Sequence, residues 1–393
     1  MTTGNPDSVL TEALLQRCKE PAPGYDRDNK FFDEDFQELK ATGYLLSAVP
    51  KELGGLGMTF AQIGQEQRRL AYHAAPTALA MNMHFYWTGL AADVWRSGDK
   101  STEWMLKAAV DGEVFAAGHG EAGNDLPVLL SSTNAEKVDG GYKFTGHKMF
   151  GSLSPVWTFL GIHGMDSSDP TGPKVVHAFM PRDSSGYSIK ETWDTVGMRA
   201  TQSHDTILDG AFVPDEYITR VVDVGAGGVD LFVSGIFAWA LMGFSNVYYG
   251  NAQRVLDEAI ESVKTKKSLA ITRTMAYHPE VQHAIAEMVI EMEGVGAHID
   301  RIAQDWSDGV DHGHAWPLKL TAAKRHAAEG TWKVVDAAMD LQGGGSIFKA
   351  VGFERLWRDA RLAKIHPANN ALTMEFVGKT ALEINPDEAP RWG

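Results

Sequence analysis

The chain has 393 residues, of which 44% are hydrophobic, and a formal net charge of -15 at pH 7. A polyanionic protein gains nothing from a nucleic acid or an anionic membrane surface, so neither is expected as a partner. Cys18 is the only cysteine, which excludes an intrachain disulfide and a zinc site built from several thiolates, and no metal is expected. The polar start of the sequence lacks a basic patch followed by an apolar run, which favours a cytoplasmic location.

Helical spacing dominates the first region of the chain, residues 1–112. Apolar residues recur three and four positions apart in Phe32–Leu46, Phe60–Ala71 and Ala92–Ala109, as they do in amphipathic helices. The connector Pro50–Gly57 contains a proline and several glycines, which argue against a regular helix. The sequence therefore predicts an N-terminal helical domain.

Strand and turn signals replace this pattern in residues 113–225. The Asp-Gly-Gly turn at residues 139–141 predicts a hairpin between the strands Ala135–Val138 and Tyr142–Thr145. Further strands are predicted at Val175–Met180 and Thr206–Val213. This region is expected to form a middle, β-barrel-like domain.

Residues 226–393 return to helical spacing. A row of apolar residues marks one long amphipathic helix: Ile285, Val289, Met292, Val295, Ile299 and Ile302. A second helix is predicted from Trp316 to Leu341. The uncharged segment Leu231–Gln253 is long enough to span a bilayer, but its serines, asparagines and glycines favour a helix buried inside a bundle. A helical domain, a small β domain and a C-terminal four-helix bundle together make an α+β fold.

Several short segments follow one another in a characteristic order. They are residues 49–57 (VPKELGGLG), 119–125 (HGEAGND), 146–152 (GHKMFGS), 197–201 (GMRAT), 213–214 (VP), 343–344 (GG) and 354–361 (ERLWRDAR). Each segment alone is weak, but the ordered set extends over nearly the whole chain and resembles the acyl-CoA dehydrogenase superfamily. The resemblance implies the fold of that superfamily, FAD as the cofactor, and a homotetramer packed through the C-terminal bundles.

The resemblance also implies that a flavin lies between the β domain and the helical bundle. The positions that match cofactor-binding positions of the superfamily are Phe115, Ala117, Gly118, Phe150, Gly151, Ser152, Gly343 and Gly344. Phe150 is expected beside the flavin ring and Ser152 near its N5 atom, because a flat aromatic system with a polar edge needs an aromatic wall and a hydrogen-bond donor. Gly343 and Gly344 are expected to approach the phosphate end of the cofactor in a partner subunit, where a missing side chain permits close contact.

The chain departs from the superfamily at the catalytic base. Dehydrogenases of this type remove an α-proton of an acyl-CoA with a carboxylate, at one of two positions that correspond here to Ala350 and to the neighbourhood of Ala240. A methyl group cannot accept a proton. Glu121, in the flavin-side loop, is the best substitute for the base, although a loop carboxylate paired with a cation is the simpler interpretation.

Histidines and aromatic residues occupy the expected pocket instead. The candidate catalytic residues are Ser152, His119, His366 and Glu121, and the candidate substrate-binding residues are Phe237, Trp239, Phe244 and Tyr248. His119 stands at the acidic position of the flavin-side loop, and His366 stands where the superfamily has a tyrosine. Two histidines at flavin-facing positions favour a role in proton handling. The aromatic residues crowd one helical segment, of which about half should point inward.

Three functions remain open from the sequence. The first is a monooxygenase similar to the aromatic and indole hydroxylases of the superfamily, which needs no α-proton base and receives its flavin as FADH2 from a separate reductase. Its substrate would be an apolar or aromatic, indole-like small molecule. The second is an acyl-CoA dehydrogenase that uses Glu121 as a relocated base. The third is a subunit without a base, which supplies structure to a mixed tetramer.

Overall fold

The computed structural model of the protein describes residues 8–124, 128–225, 229–385 and 387–388. Helices dominate its first region, as predicted: α1 (Glu12–Lys19), α2 (Ala22–Asp28), α3 (Asp33–Ala41), α4 (Phe60–Arg96) and α5 (Glu103–Val110). Two of the predicted helices are interrupted. The first stops at Ala41 because Gly43 turns the backbone into the left-handed region with φ of 79°. The second is broken between Arg96 and Glu103, where Gly98 has φ of 100°.

The longest helix, α4, is capped at its start and kinked in its first half. The Thr59 hydroxyl accepts a hydrogen bond from the amide of Gln62, and the Gln62 side chain accepts one from the Thr59 amide, which forms a capping box. Ala74 leaves helical geometry with φ of -146° and ψ of 80°. The nearby Pro76 causes this kink, since proline lacks an amide proton and its ring crowds the preceding turn.

The middle region forms one mixed sheet of eight strands. The strands are β1 (Phe115–Gly118), β2 (Asn134–Val138), β3 (Gly141–Gly151), β4 (Phe159–Asp166), β5 (Lys174–Pro181), β6 (Tyr187–Lys190), β7 (His204–Pro214) and β8 (Ile218–Asp223). Their order is β6-β7-β3-β2-β4-β5-β8, and β1 runs parallel to β4 at the end of β4 that β2 does not reach. The predicted hairpin joins β2 to β3, which confirms the Asp-Gly-Gly turn. The pairings of the described strands do not join β6 to β8, so the two ends of the sheet stay unpaired with each other.

Helices dominate the described residues from 229 onward: α6 (Leu231–Thr265), α7 (Pro279–Ser307), α8 (Trp316–Gln342), α9 (Phe353–Arg361) and α10 (Asn370–Ala381). α6 packs closely along α4. A Cβ at Gly250 would lie 2.3 Å from the Arg68 carbonyl oxygen, and one at Gly89 would lie 2.4 Å from the Trp239 ring. Glycine at these positions therefore allows the two helices to approach each other, and the N-terminal and C-terminal helices share one core.

By length and apolar composition, α6 could cross a membrane, and it is the one described helix with that property. In the fold, however, 78% of its most apolar stretch is buried inside the protein. The Asp93 carboxylate of α4 accepts hydrogen bonds from the indole nitrogens of Trp239 on α6 and Trp306 on α7, at 2.8 and 2.9 Å. These contacts match the prediction of a helix buried in a bundle.

Candidate active site

The first strand of the sheet leads from the hydrophobic interior to the candidate site. Phe115 lies opposite Phe159 in the parallel pairing of β1 with β4, and its fully buried ring stacks on that of Phe159 at 5.4 Å. Its side chain is therefore core, so that only its backbone remains available to a cofactor. Two residues later, Ala117 is slightly exposed, at 8%. All four residues of the strand, including Ala117 and Gly118 where the cofactor was expected, are buried, and the loop becomes half-buried at Gly120.

The loop after β1 is fastened to the end of β3. The amide of Met149 donates to the carbonyl oxygen of Gly120 at 2.8 Å, and a Cβ at Gly120 would lie 3.0 Å from the Phe150 ring. This bridge brings together two segments that sequence analysis assigned to the site separately. His119, on the loop, and Phe150, on the strand, are therefore parts of one neighbourhood.

His119 forms a buried pair with a tyrosine of α4. The Tyr86 hydroxyl lies 2.7 Å from Nδ1 of His119, while Nε2 of His119 has no partner among the described residues. Tyr86 itself stacks on Trp87 with ring centroids 4.5 Å apart. Burial, followed by the nearby His177 and Lys148, holds the pKa of His119 well below its usual value, so the imidazole is neutral at pH 7. A neutral imidazole beside a phenol can accept, donate or transfer a proton.

Glu121 is held in an ion pair with Lys148. Both side chains are inaccessible to solvent, and Nζ of Lys148 lies 2.5 Å from the carboxylate. The carboxylate also accepts hydrogen bonds from the Asn124 side chain, from the hydroxyls of Ser131 and Thr133, and from the amides of Ser132 and Thr133.

These contacts determine the protonation of the pair. Burial alone would raise the pKa of Glu121, but the Lys148 ammonium and the two hydroxyls lower it to about 2. Burial lowers the pKa of Lys148 to about 8, against the opposing effect of Glu121. A carboxylate with a pKa of about 2 and this many donors is a poor base at neutral pH. The geometry therefore favours the simpler interpretation of Glu121, a loop carboxylate paired with a cation.

An exposed aromatic ring and a chain of hydroxyls follow at the end of β3. Phe150 is 55% exposed, although it has the strained φ of 62° and sits beside an otherwise buried turn. The hydroxyl of Ser152, 7% exposed, lies 2.7 Å from that of Ser203, which in turn lies 2.7 Å from Oγ1 of Thr201. Oγ1 of Thr201 donates to the carbonyl oxygen of Met198 at 2.9 Å, so Ser203 donates to Thr201 and Ser152 donates to Ser203. Ser152 therefore keeps its lone pairs for a ligand.

A second cluster forms along one face of α6. In the first turns of this buried helix, Ser234, Phe237 and Ala240 are the half-buried residues, three positions apart. Phe244 continues this face, because seven residues after Phe237 return to within about 20° of the same direction. Tyr248 follows one turn later, so Phe237, Phe244 and Tyr248 form one aromatic stripe.

His366 covers the far end of this stripe. Its ring stacks on Phe244, with centroids 4.4 Å apart and an interplanar angle of 24°, and lies 5.7 Å from Tyr248. Burial, followed by Lys324, lowers the pKa of His366 to about 3, and Nε2 of His366 has no partner among the described residues. Lys324 donates to the backbone carbonyl oxygen of His366 at 2.7 Å and fixes the loop. His366 is thus a neutral, positioned imidazole among aromatic rings.

Trp239 lies elsewhere. It points about 140° away from Phe244 around the helix, packs edge-on against Phe60 at 4.6 Å, and donates to Asp93. These contacts belong to the interface between α4, α6 and α7. The structure therefore gives no support to Trp239 as a substrate-binding residue and assigns its ring to the core.

The two positions expected for a dehydrogenase base differ in their surroundings. Ala240 lies on the half-buried face of α6, whereas Ala350 is exposed in a short turn before α9. Gly343 and Gly344 follow α8, and a Cβ at Gly344 would have no neighbour within 4 Å. Open space at Gly344 is compatible with a cofactor phosphate or a partner subunit, and the role of both glycines stays a prediction.

Tyr86 and Lys148 were not predicted as site residues. Tyr86 lies between two predicted helical segments, and nothing in the local pattern distinguishes it from a core aromatic residue. Lys148 lies within the segment 146–152, and a lysine at an inward-facing position of a strand was a usable signal of a buried partner of opposite charge. Only the fold shows that these side chains meet His119 and Glu121.

The residues present fit a bound flavin. Phe150 offers an exposed aromatic face, Ser152 a hydroxyl, and Ala117 and Gly118 a backbone with little side-chain bulk. A flavin ring system needs these three elements: an aromatic wall, a polar contact for its ring nitrogens, and room for close backbone approach.

Two family models match the chain. The acyl-CoA dehydrogenase N-terminal domain matches residues 10–102, and the acyl-CoA dehydrogenase C-terminal domain matches residues 242–371. Among curated proteins, YdbM of Bacillus subtilis (strain 168), which carries an acyl-CoA dehydrogenase name, is 27% identical over 94% of this chain and 95% of its own length.

Solved structures extend the likeness to the whole fold. KijD3 in complex with dTDP superposes with a TM-score of 0.84, at 23% identity and 95% coverage of both chains. TdsC of Paenibacillus sp. A11-2, a dibenzothiophene monooxygenase described in complex with FMN and indole, superposes with a TM-score of 0.79, at 20% identity over 95% of this chain and 97% of its own. The matched domains, which cover more than half of the sequence, and the shared fold show that this chain belongs to the acyl-CoA dehydrogenase superfamily.

Proposed function

We propose that the protein is a flavin-dependent monooxygenase that oxygenates an apolar, aromatic small molecule. The likeness to TdsC supports this activity and the substrate class, since that enzyme is described with indole bound. It also supports FMN as the cofactor instead of the FAD expected from the sequence, since FMN is the flavin in that structure. The FMN would be supplied in reduced form by a separate reductase.

One observation carries the proposal: the potential proton donors and acceptors of the site are neutral, whereas its carboxylate is already paired with a lysine. His119, Tyr86 and Ser152 are neutral groups placed around the loop and strand end where the flavin is expected. Glu121 is held as an anion by Lys148. Neutral donors suit a reaction that delivers protons to reduced oxygen, whereas α-proton removal from an acyl-CoA needs a free base.

The bound FMN would supply two electrons, which with two protons reduce one atom of O2 to water while the other atom enters the substrate. Ser152 would hydrogen-bond the flavin edge, and Phe150 would cover its ring. The Tyr86–His119 pair would deliver a proton at the Tyr86 hydroxyl. The stripe formed by Phe237, Phe244 and Tyr248 would bind the aromatic substrate and exclude water.

The structure argues against the two alternative functions, the dehydrogenase and the structural subunit. An acyl-CoA dehydrogenase with Glu121 as its base would require a carboxylate with a pKa of about 2 to leave five hydrogen-bond donors and the Lys148 ion pair. A purely structural subunit would not need the neutral Tyr86–His119 pair at the flavin position. Both are therefore disfavoured.

The test combines the purified chain with FMN, a purified flavin reductase, NADH, indole and ¹⁸O₂. We expect an ¹⁸O-labelled indole product, detected by mass spectrometry and absent when the chain is omitted. A parallel anaerobic mixture contains the chain with oxidised flavin and a series of acyl-CoAs. Bleaching of the flavin there would establish the dehydrogenase instead. No product and no bleaching, with co-purification of a related subunit, would establish the structural role.

A homotetramer and a cytoplasmic location belong to the same proposal. Several large apolar side chains are exposed on the C-terminal region, namely Ile290, Ile347, Phe348, Val351, Ile365, Met374 and Leu382. Exposed apolar residues of this number are typical of protein interfaces. Light scattering of the purified chain tests the tetramer, and a monomer at micromolar concentration would contradict it.

A further inference from the structure

Three buried histidines face one another behind the Tyr86–His119 pair. His163 on β4 and His177 on β5 are direct partners in the antiparallel pairing, and their rings stack with centroids 6.0 Å apart. The ring of His119 stands perpendicular to both, 4.9 Å from His163 and 6.3 Å from His177. The cluster lies inside the protein, since all three side chains are almost inaccessible to solvent.

His163 has fixed hydrogen bonds. Its Nδ1 lies 3.3 Å from Nζ of Lys148, which can only donate while charged, so Nδ1 is the acceptor. Its Nε2 lies 3.1 Å from the carbonyl oxygen of Leu130 and 3.3 Å from the amide nitrogen of Val128. Both nitrogens are occupied, and His163 is a structural support for the Lys148–Glu121 pair.

His177 differs because neither of its nitrogens has a hydrogen-bond partner among the described residues, although the residue is only 1% exposed. Nε2 of His119 is also without a partner there. Buried polar groups are nearly always satisfied, by protein or by bound water, and each exception calls for an explanation. Two imidazoles 6.3 Å apart with three unused nitrogens are too far apart for a direct bond but close enough for a bridging water molecule.

The surroundings keep this imidazole neutral. His177 is opposite Arg220 of β8 in the sheet and contacts the Phe232 ring of α6 edge-on at 5.6 Å. The charged groups near it are Lys148 on β3, paired with Glu121, and Arg220, which pairs at the surface with Asp99 and Asp230. Burial, followed by Lys148 and Arg220, lowers the pKa of His177 to about 3. A neutral imidazole can accept a proton on one nitrogen and release one from the other.

We propose that His177 is the inner member of a proton relay, in which a water molecule joins it to Nε2 of His119 and His119 joins it to the Tyr86 hydroxyl. The relay would return to Tyr86 the proton that this hydroxyl gives up during turnover, while the site remains closed to bulk solvent. Arg220 cannot supply this proton, because a guanidinium does not deprotonate at physiological pH. The second, unpaired ring nitrogen of His177 would instead take up the replacing proton from a water molecule that reaches this end of the relay. This proposal depends on the proposed function in one respect only, namely the oxygenation reaction that consumes the proton.

The first test needs no cofactor. Chain labelled with ¹⁵N-histidine is compared with His177→Phe, which keeps a ring but removes both nitrogens, and with the control His298→Phe. His298 lies on α7 and contacts His326, away from the cluster. We expect His177→Phe to shift the His119 ring-nitrogen resonances and His298→Phe to leave them unchanged. Unchanged His119 resonances in His177→Phe would overturn the relay.

The second test uses the enzyme with reduced FMN, O2 and indole, and measures the oxygenated product formed per hydrogen peroxide released. We expect His177→Phe to lower this ratio several-fold. The variant should also change how the ratio depends on pH and on the replacement of H2O by D2O. Because the groups act in series, the double variant Tyr86→Phe/His177→Phe should be no worse than Tyr86→Phe alone. An unchanged ratio in His177→Phe, or additive losses in the double variant, would overturn the relay.

Two further comparisons keep the outcomes separate. If His177→Phe does not fold, His177→Gln, which is polar but cannot pass a proton through a ring, replaces it with the same expectations. If the unmodified chain forms no oxygenated product, the proposed function fails, and the resonances of His119 alone decide whether the two histidines are coupled.

Discussion

The hydroxyl of Tyr86 and Nδ1 of His119 lie 2.7 Å apart across the boundary between the N-terminal helices and the sheet. The two residues are 33 positions apart in the chain, and the contact is buried on both sides. A phenol held against a neutral imidazole is a defined proton donor. His119 directly follows Ala117 and Gly118, two of the residues predicted to bind the cofactor, so this contact joins α4 to the predicted site.

Removing this hydroxyl should impair oxygenation and leave the fold intact. In Tyr86→Phe, we expect product formation to fall by about 10²-fold, the lower end of what a positioned acid contributes. The free energy of unfolding should change by only about 1 kcal/mol, because one hydrogen bond is lost. Product formation is measured by chromatography and stability by urea denaturation.

Tyr72→Phe is the matched control for that variant. Tyr72 lies on the same helix and donates to Asp257 at 3.1 Å, away from His119. It should lose a similar amount of stability and keep its activity. Equal activity losses in the two variants would show that Tyr86 acts only through the helix.

Glu121→Gln should lower the stability of the fold more than it lowers the rate of oxygenation. The change leaves the Lys148 ammonium buried without a counter-charge, and breaking one side of a buried ion pair typically costs about 3–5 kcal/mol. In the double variant Glu121→Gln/Lys148→Met, which removes both charges, part of that loss should be recovered. Denaturation measures both effects. A variant as stable as the parent but inactive in every assay would instead indicate a catalytic carboxylate.

The lowered pKa of Glu121 predicts that the stability of the fold depends on pH. The pKa of this carboxylate is lowered from 4.5 to about 2 in the folded chain, so the unfolded chain binds more protons between these values. Its contribution, about 3 kcal/mol at 1.36 kcal/mol per pKa unit, should be fully present above about pH 4.5 and lost as the pH falls towards 2. Denaturation of the parent and of Glu121→Gln over this range should give curves that converge at low pH. A constant difference would refute the assignment.

The order of the structural regions could be predicted because each depends on local pattern. The turn at residues 139–141 specifies a hairpin through its glycines, and the apolar row from Ile285 to Ile302 follows the helical period of α7. Helix ends were less predictable. Phe32–Leu46 was expected as one helix, but a single glycine at position 43 interrupts it.

The site could be predicted only in part, because its decisive contacts join distant segments. The role of Glu121 depends on Lys148, which the fold brings from β3 to the loop after β1. By contrast, helical geometry alone separates Trp239 from Phe237 and Phe244, since their directions around α6 differ. Sequence could therefore divide the aromatic residues into two faces, but packing against α4 decides which of the faces is core.

Ser152→Ala tests the proposed contact with the flavin. Ser152 shares a hydrogen bond with Ser203, and Ser203 keeps its bond to Thr201 after the change, so stability should fall by about 1 kcal/mol at most. We expect the affinity for FMN to fall by about 3- to 10-fold, equivalent to one hydrogen bond of about 0.5–1.5 kcal/mol. Fluorescence titration with FMN measures it.

Ser154→Ala is the control in the same turn. Its hydroxyl donates to the carbonyl oxygen of Gly151 and belongs to the turn itself. This variant should lose stability and keep its affinity for FMN. If Ser154→Ala weakens FMN binding as much as Ser152→Ala does, the effect comes from the turn and not from a contact with the flavin.

The two faces of α6 should respond differently to substitution. Phe244 stacks on His366, and Phe244→Ala should raise the KM for indole by about 10-fold or more, because a buried phenyl contact is lost from the apolar stripe. Trp239→Phe removes the hydrogen bond to Asp93 from the core and should lower the free energy of unfolding by about 1–3 kcal/mol, with KM unchanged. Steady-state kinetics and denaturation of both variants provide the comparison. A larger KM effect from Trp239→Phe than from Phe244→Ala would place the substrate on the opposite face of the helix, because only groups that touch the substrate alter KM without altering the fold.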